Sequence, residues 1–304
     1  MITYKQFNLS DCLNSLIVAD EYVARLYGIA GDNVYLLPRG EQAKTFAETE
    51  NLCKWFLSKN LGRNGRVVAV GGGSVGDVTG FACSIYKRGN VNLTHVPTTL
   101  IAQIDSAVGG KTAVNLDGVK NAVGTFFDAD TLIDIGFLQT LDNRQILSGC
   151  GELLKYRMLC TNIDKVYCGK ITEDVIRACV DYKLSLCQVD MYDLSSRRAL
   201  NFGHTVGHAM ELSCNLPHGI AVANGLYYET LLAHKLGMCS KAYFTKWSAE
   251  AAKLTDILPV NKEILKLVTA DKKNIGNLIC FVLPNDFRQT ILSLEQVISL
   301  LCCG

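Results

Sequence analysis

Short β-branched or apolar runs alternate with helix-like stretches as far as about residue 136: Leu16 to Ala19, Val34 to Leu37, Val67 to Val70, Leu93 to Val96 and Leu132 to Ile135 read as strands. No other pattern in the chain restricts the fold as strongly. Strands separated by helices pair in parallel, with the connecting helices crossing over the sheet faces. The stretch Ala43 to Ser58 places Phe46, Leu52, Phe56 and Leu57 at roughly helical spacing and is predicted as one such helix, ending near Gly62. After about residue 142 the text changes to long helical segments, Arg144 to Leu159, Asp174 to Gln188, Arg197 to Ser213 and Ile220 to Leu236, with Leu278 to Leu283 as a lone strand. The expected organisation is an α/β domain over 1–141 followed by a mainly α-helical domain over 142–304. No repeat or Pro-rich linker separates them, so close packing around a ligand-sized cleft is expected.

With 304 residues and 49% hydrophobic content the chain can bury a large core, and its length suits two domains. Thirty Lys and Arg residues stand against 29 Asp and Glu, which excludes a global field that would recruit nucleic acid or an anionic membrane. Any basic site must be local. The start, MITYKQFNLSDC, has no apolar run of the signal-peptide kind, and no stretch of about 18 uncharged apolar residues follows. A soluble, cytoplasmic protein is expected. Thirteen cysteines are scattered without a CxxC pair, which reads as reduced, mostly buried thiols, with Cys302 and Cys303 the most exposed.

Strand Arg66 to Val70 runs into Gly71-Gly-Gly-Ser-Val-Gly-Asp77, after which Val78 to Tyr86 reads as a helix. Glycines there let a backbone approach a pyrophosphate, and the N–H groups at a helix start favour negative charge. The string fits GxGxxG, but no acidic residue lies about twenty residues on, so a nucleotide site and a tight structural turn both fit. A second glycine-rich segment, Asp105 to Asn115, carries Lys111 directly after Gly109 and Gly110. It is no Walker A loop, because Asp105 occupies the place of the first glycine. A lysine on such a turn is well placed to meet an anionic substrate. Three of the five histidines, His204, His208 and His218, fall within fifteen residues, and His204 and His208 are four apart, on one face of a helix. That clustering beside glycines points to metal or catalytic duty, with His204 and His208 as natural co-ligands. Glu152 and Lys155 lie three apart in apolar helical text, as an ion pair or as part of a site.

Together the strings GGGSVGDVTGFACSIYKRG, VPTTLIAQIDSAVGGKTAVN, GVKNAVGTF, GELLKY, RALNFGHTVGHAME, PHG and DKK resemble the 3-dehydroquinate synthase family, in its order, from Asp20 onward. The resemblance implies a Rossmann-like NAD domain joined to an α-helical metal domain. It implies that Glu152, His204 and His218 bind a divalent metal, zinc or alternatively cobalt, and that His208 faces the substrate instead of the metal. NAD positions carry over to Asp20, Glu41, Lys44, Gly72, Gly73, Ser74, Asp77, Thr98, Thr99, Lys120, Phe137, Thr140 and Leu141. Substrate contacts carry over to Arg88, Asp105, Lys111, Asn121, Lys155, Lys183, Arg197, Asn201, His208 and one of Lys272 and Lys273.

The implied reaction closes 3-deoxy-D-arabino-heptulosonate 7-phosphate to 3-dehydroquinate and phosphate. A hydride leaves a ring alcohol and later returns, phosphate is eliminated, and an intramolecular aldol step closes the carbocycle. A doubly anionic sugar phosphate explains many Lys and Arg in a neutral protein. A homodimer is expected. The chain departs from the family's text in three places: about 30 residues fewer at the N-terminus, Ile220 where a glutamate usually follows His218-Gly219, and Asp190 to Asp193 where glutamate is common. The alternatives are a sister cyclase of the 2-deoxy-scyllo-inosose synthase or sedoheptulose phosphate cyclase type, an iron-group polyol dehydrogenase, and a non-catalytic descendant. The Asp105 to Thr112 segment favours the first-named family over its sisters.

Overall fold

The computed structural model describes residues 1–270, 278–284, 286, 287 and 289–302, arranged as two compact units, Met1–Leu141 and Asp142–Gly304. In the first, strands β1 (Ile2–Tyr4), β2 (Ser15–Asp20), β3 (Val34–Leu37), β4 (Gly65–Gly71), β5 (Val91–Pro97) and β8 (Asp130–Ile133) form one sheet in the order β1-β8-β5-β4-β2-β3. Every pairing in it is parallel. The crossover helices are α1 (Glu21–Tyr27), α2 (Phe46–Ser58) and α3 (Gly73–Ile85), and β6 (Lys111–Leu116) with β7 (Val119–Phe126) forms a separate antiparallel hairpin.

Alternation along the strands sorts the core into two faces. Val18, Val67, Ala69 and Leu93 pack with Leu52, Phe56, Val78 and Ala82 of α2 and α3, while Ile17, Ala19, Val68, Val70 and Val96 pack with Ala24, Ile29 and Phe137. Helix α2 starts three residues later than its apolar spacing suggests, because Thr45 caps it by accepting the Glu48 N–H at 3.1 Å. Helix α3 starts earlier than expected, so Gly73 to Asp77 are its first turns and not a loop before it.

The second unit holds α4 (Asn143–Leu159), α5 (Thr161–Val166), α6 (Glu173–Val189), α7 (His204–Cys214), α8 (His218–Lys235), α9 (Lys241–Ala252), α10 (Lys262–Leu267) and α11 (Leu294–Cys302). Strand β9 (Leu278–Val282) is not alone; it pairs antiparallel with β10 (Gln289–Ser293), which alternates too weakly to stand out in the sequence. The single helix expected over Arg197 to Ser213 is two elements, a 3-10 turn Ser196–Asn201 and then α7, broken where Gly203 takes φ +80°.

Helix α8 is central and touches its neighbours through backbone. A Cβ at Gly151 of α4 would lie 1.8 Å from the Gly219 carbonyl oxygen, and one at Gly219 would lie 1.6 Å from that of Ser148. On the other side, a Cβ at Gly225 would lie 1.9 Å from the carbonyl oxygen of Gly203. Only glycine permits helices this close. Every described cysteine is a free thiol; Cys12, Cys83, Cys179 and Cys280 are buried, Cys302 is half-buried in α11, and Cys303 lies outside the described residues. No described helix is long and apolar enough to cross a membrane.

Because the clash partner of a Gly219 side chain is rigid backbone, Gly219→Ala should destabilise the second unit by about 3 kcal/mol or more. Denaturant unfolding followed by a probe in that unit checks this; a loss below about 1 kcal/mol would contradict the close α4–α8 approach.

Candidate active site

In the first unit the polar positions gather around α3. Lys44, buried, donates from Nζ to Asp77 Oδ2 at 2.6 Å and to Asn121 Oδ1 at 2.5 Å. Asn121 sits on β7 at φ +51°, its N–H bound to Asn115 Oδ1 at 2.9 Å, and Asn115 donates in turn to Glu41 at 2.9 Å. Glu41, Lys44, Asp77 and Asn121 therefore form one network on three elements. Gly72 caps α3 with no side chain of its own, and no acidic residue stands in the first turn to neutralise the helix end. A Cβ at Gly73 would lie 2.8 Å from Ser106 Oγ, which is buried and has no hydrogen-bond partner among the described residues, and one at Gly72 would lie 3.1 Å from Thr99. A bare helix N-terminus beside an orphaned hydroxyl is a donor set that fits a phosphate.

Thr98 joins this turn through its N–H to the Gly71 carbonyl at 2.9 Å, and Thr99 Oγ1 accepts from the Ala102 N–H. Ser74 is in the same turn of α3, and Asp105 lies in the π-type turn Ala102–Ser106 that brings up Ser106. Asp20 stands apart as the cap of α1, accepting from Tyr22 and Val23. Arg88, at φ +64°, follows α3, and Lys111 and Lys120 are exposed on the β6–β7 hairpin. Phe137 packs its ring against Phe7 and Tyr27 in the core, Thr140 pairs with the Tyr27 hydroxyl at 2.7 Å, and Leu141 follows that turn.

In the second unit α4, α7 and α8 bring Glu152, His204 and His218 together. Glu152 Oε1 lies 3.1 Å from His204 Nε2 and 3.0 Å from His218 Nε2, and the candidate ligand atoms all fall within 4.8 Å of one another. Two imidazole nitrogens and one carboxylate oxygen form a donor set suited to zinc or a similar divalent ion. Lys155 is buried and holds the other carboxylate oxygen at 2.6 Å. Burial alone would raise the Glu152 carboxyl, but Lys155 and His204 outweigh it and hold the group well below the usual carboxylate range. Burial likewise opposes charge on His218, yet hydrogen bonds to Glu152 and Glu211 raise it to about 9, while burial lowers His204.

The four-residue spacing does put the His204 and His208 rings side by side, 5.3 Å apart, but His208 belongs to a second grouping with Glu211 and His218. Glu211 was missed in the sequence. Its Oε2 lies 3.1 Å from His218 Nδ1, so it is the carboxylate that orients this imidazole, and Ile220 removes nothing from that role. Its signal was the helical spacing from His208 to Glu211, three residues on the same face.

Lys183 is buried on α6, and Asn201 closes the 3-10 turn that begins at Ser196. Arg197 is fully buried in that turn and donates to the Met191 carbonyl at 2.7 Å. Asp190 organises the segment, accepting the N–H groups of Leu194, Ser195 and Arg197 at 2.8, 2.7 and 3.0 Å. Lys272 and Lys273 lie outside the described residues.

With this geometry in view, comparison with known proteins assigns the chain. Residues 34–148 match the 3-dehydroquinate synthase N-terminal domain, and residues 149–274 match the 3-dehydroquinate synthase C-terminal domain. The chain belongs to the 3-dehydroquinate synthase family. It is 35% identical to the 3-dehydroquinate synthase of Alkaliphilus metalliredigens (strain QYMF), over 94% of this chain and 88% of that one. Among solved structures, 2-deoxy-scyllo-inosose synthase complexed with carbaglucose-6-phosphate, NAD+ and Co2+ has a TM-score of 0.83 at 24% identity, covering 100% of this chain and 96% of that one. A 2-epi-5-epi-valiolone synthase from Streptomyces hygroscopicus subsp. jinggangensis 5008 with NAD+ and Zn2+ bound has a TM-score of 0.82 at 25% identity, with the same coverage. The family places this chain among enzymes of the phosphate-eliminating cyclase kind.

The Asp190 loop yields an acid test. Burial alone would raise its carboxyl, but three N–H donors lower it from 3.8 to about 2. A depressed native value means that its contribution is complete above about pH 4 and is lost as pH falls toward 2. Amide exchange at Leu194, Ser195 and Arg197 should accelerate across that window beyond the intrinsic rate change. In Asp190→Asn the acceleration should disappear, and a wild type without it would contradict the assignment.

Proposed function

We propose that this enzyme converts 3-deoxy-D-arabino-heptulosonate 7-phosphate to 3-dehydroquinate and phosphate, using NAD and a divalent metal ion, zinc in the first instance and cobalt as the alternative. The observation that carries the reading is the convergence of Glu152, His204 and His218 in a family member whose second unit also buries Lys155, Lys183 and Arg197. A simple alcohol dehydrogenase has no use for so many buried cations, whereas a sugar phosphate with a carboxylate needs them. When bound, NAD supplies a reversible hydride acceptor and the metal a Lewis acid at the ring alcohol.

The chain's own residues do the rest. Glu152, His204 and His218 would hold the metal as three protein ligands, which leaves room for substrate oxygens. The bare first turn of α3, with Gly72, Gly73 and Ser74, would take the pyrophosphate, and Lys44 would fix Asp77 and Asn121 beside it. In the second unit Lys183, Arg197 and Asn201 would contact the anionic groups of the substrate, and in the first Arg88 and Lys111 are the candidates for such contacts. Lys155 keeps Glu152 charged, and His208 would present its ring nitrogen to the departing phosphate.

Two experiments test this. Metal analysis should find His204→Ala and His218→Ala depleted, whereas His208→Ala keeps its metal and loses activity; equal depletion in all three overturns the ligand set. A paired assay should release phosphate stoichiometrically with no accumulating NADH, while NADH rising with turnover would mark a dehydrogenase. In the same assay Lys111→Ala should lower kcat/KM about 10- to 150-fold, equivalent to the roughly 1.5 to 3 kcal/mol of a charged hydrogen bond.

A further inference from the structure

Helix α7 begins with the ligand His204, and its cap residue is Gly203, which has no side chain to satisfy the first N–H groups. Glycine is required there twice over. Its φ is +80°, and a Cβ would lie 2.7 Å from the side chain of Leu226 on α8. A helix start normally leaves several N–H groups that a cap side chain or water must satisfy. Here the turn is buried from Phe202 through Gly207, so water is a poor partner.

Glu229, fully buried and on the far half of α8, supplies the missing cap. Its Oε2 accepts the Gly203 N–H at 2.7 Å and its Oε1 accepts the Val206 N–H at 3.0 Å. The two grips straddle His204 and Thr205. His204 Nδ1 lies 3.1 Å from the Phe202 carbonyl, which leaves Nε2 toward Glu152. With the backbone clamped on both sides and Nδ1 engaged, the ring has one orientation. The positive end of α7 also favours a negative group at this place.

We propose that Glu229 is a positioning residue for the metal site, acting through the first turn of α7 to hold His204 at Glu152. The proposal rests on the reading above that His204 is a metal ligand. A carboxyl group is needed because both of its oxygens accept. Glutamine keeps one acceptor and turns an NH2 toward the other N–H, and aspartate is one methylene too short.

The test uses the full-length protein loaded with cobalt. Glu229→Gln should weaken metal binding about tenfold in a chelator competition, shift the visible cobalt bands, and lower kcat/KM with the KM for NAD unchanged. In metal-free protein, amide exchange over residues 203–206 should accelerate about tenfold, while α9 keeps the wild-type rate. Wild-type cobalt bands and metal affinity in the variant would overturn the proposal, and so would unchanged exchange over 203–206. If His204→Ala keeps its metal, the ligand reading fails, and the metal-free exchange still decides the cap. Should Glu229→Gln not fold, the wild type answers: Gly203 and Val206 amides exchanging as slowly as the middle of α8 support the cap, and exchange at the rate of an open helix end refutes it.

Discussion

The second unit depends on one constraint, the approach of α8 to α4 and α7 at backbone distance. Where Gly151 meets Gly219 and Gly203 meets Gly225, no side chain fits between the helices. Each contact stands next to a candidate ligand in sequence: Gly151 precedes Glu152, Gly203 precedes His204, and Gly219 follows His218. The helices are brought so near that three short reaches meet within 4.8 Å. A Cβ at Gly151, Gly219 or Gly225 would push on backbone, which cannot yield as a flexible side chain does, and one at Gly203 would press on the Leu226 side chain.

A nearly neutral chain conceals its charges by pairing them. Lys155 with Glu152 is a buried ion pair at 2.6 Å, Lys44 with Asp77 a half-buried one at the same distance, and Asp190 is held by three N–H groups. Such pairs do not recommend themselves as stabilisers, since desolvation offsets most of their attraction. Their value is in keeping charged groups at fixed places, which an anionic substrate and a metal both require.

The parallel α/β half was legible because β-branched strands and intervening helices impose different periods on the text, and β2, β3, β4, β5 and β8 all left that mark. Strands β1, β6, β7 and β10 did not. They are short, half-exposed or part of hairpins, so their apolar residues do not form a run. The break at Gly203 was hidden as well, because an isolated glycine inside helical text is tolerated and does not by itself mark a helix end. At the site, the histidine spacing announced a helix face but could not say which carboxylate from another helix would meet it. Glu211 and Glu229 went unnoticed for the same reason: their importance lies in backbone and ring atoms reached through the fold, seven and more residues away.

The adjacency of glycine and ligand also bears on how this catalyst could decay. A lineage drifting away from its chemistry need not lose Glu152, His204 or His218. Replacement of one neighbouring glycine by alanine would part the helices while leaving every metal-binding letter in place. In divergent copies of such a gene, a census of ligands would then count as intact proteins that can no longer assemble the site, and the small residues beside them would be the truer record of retained activity.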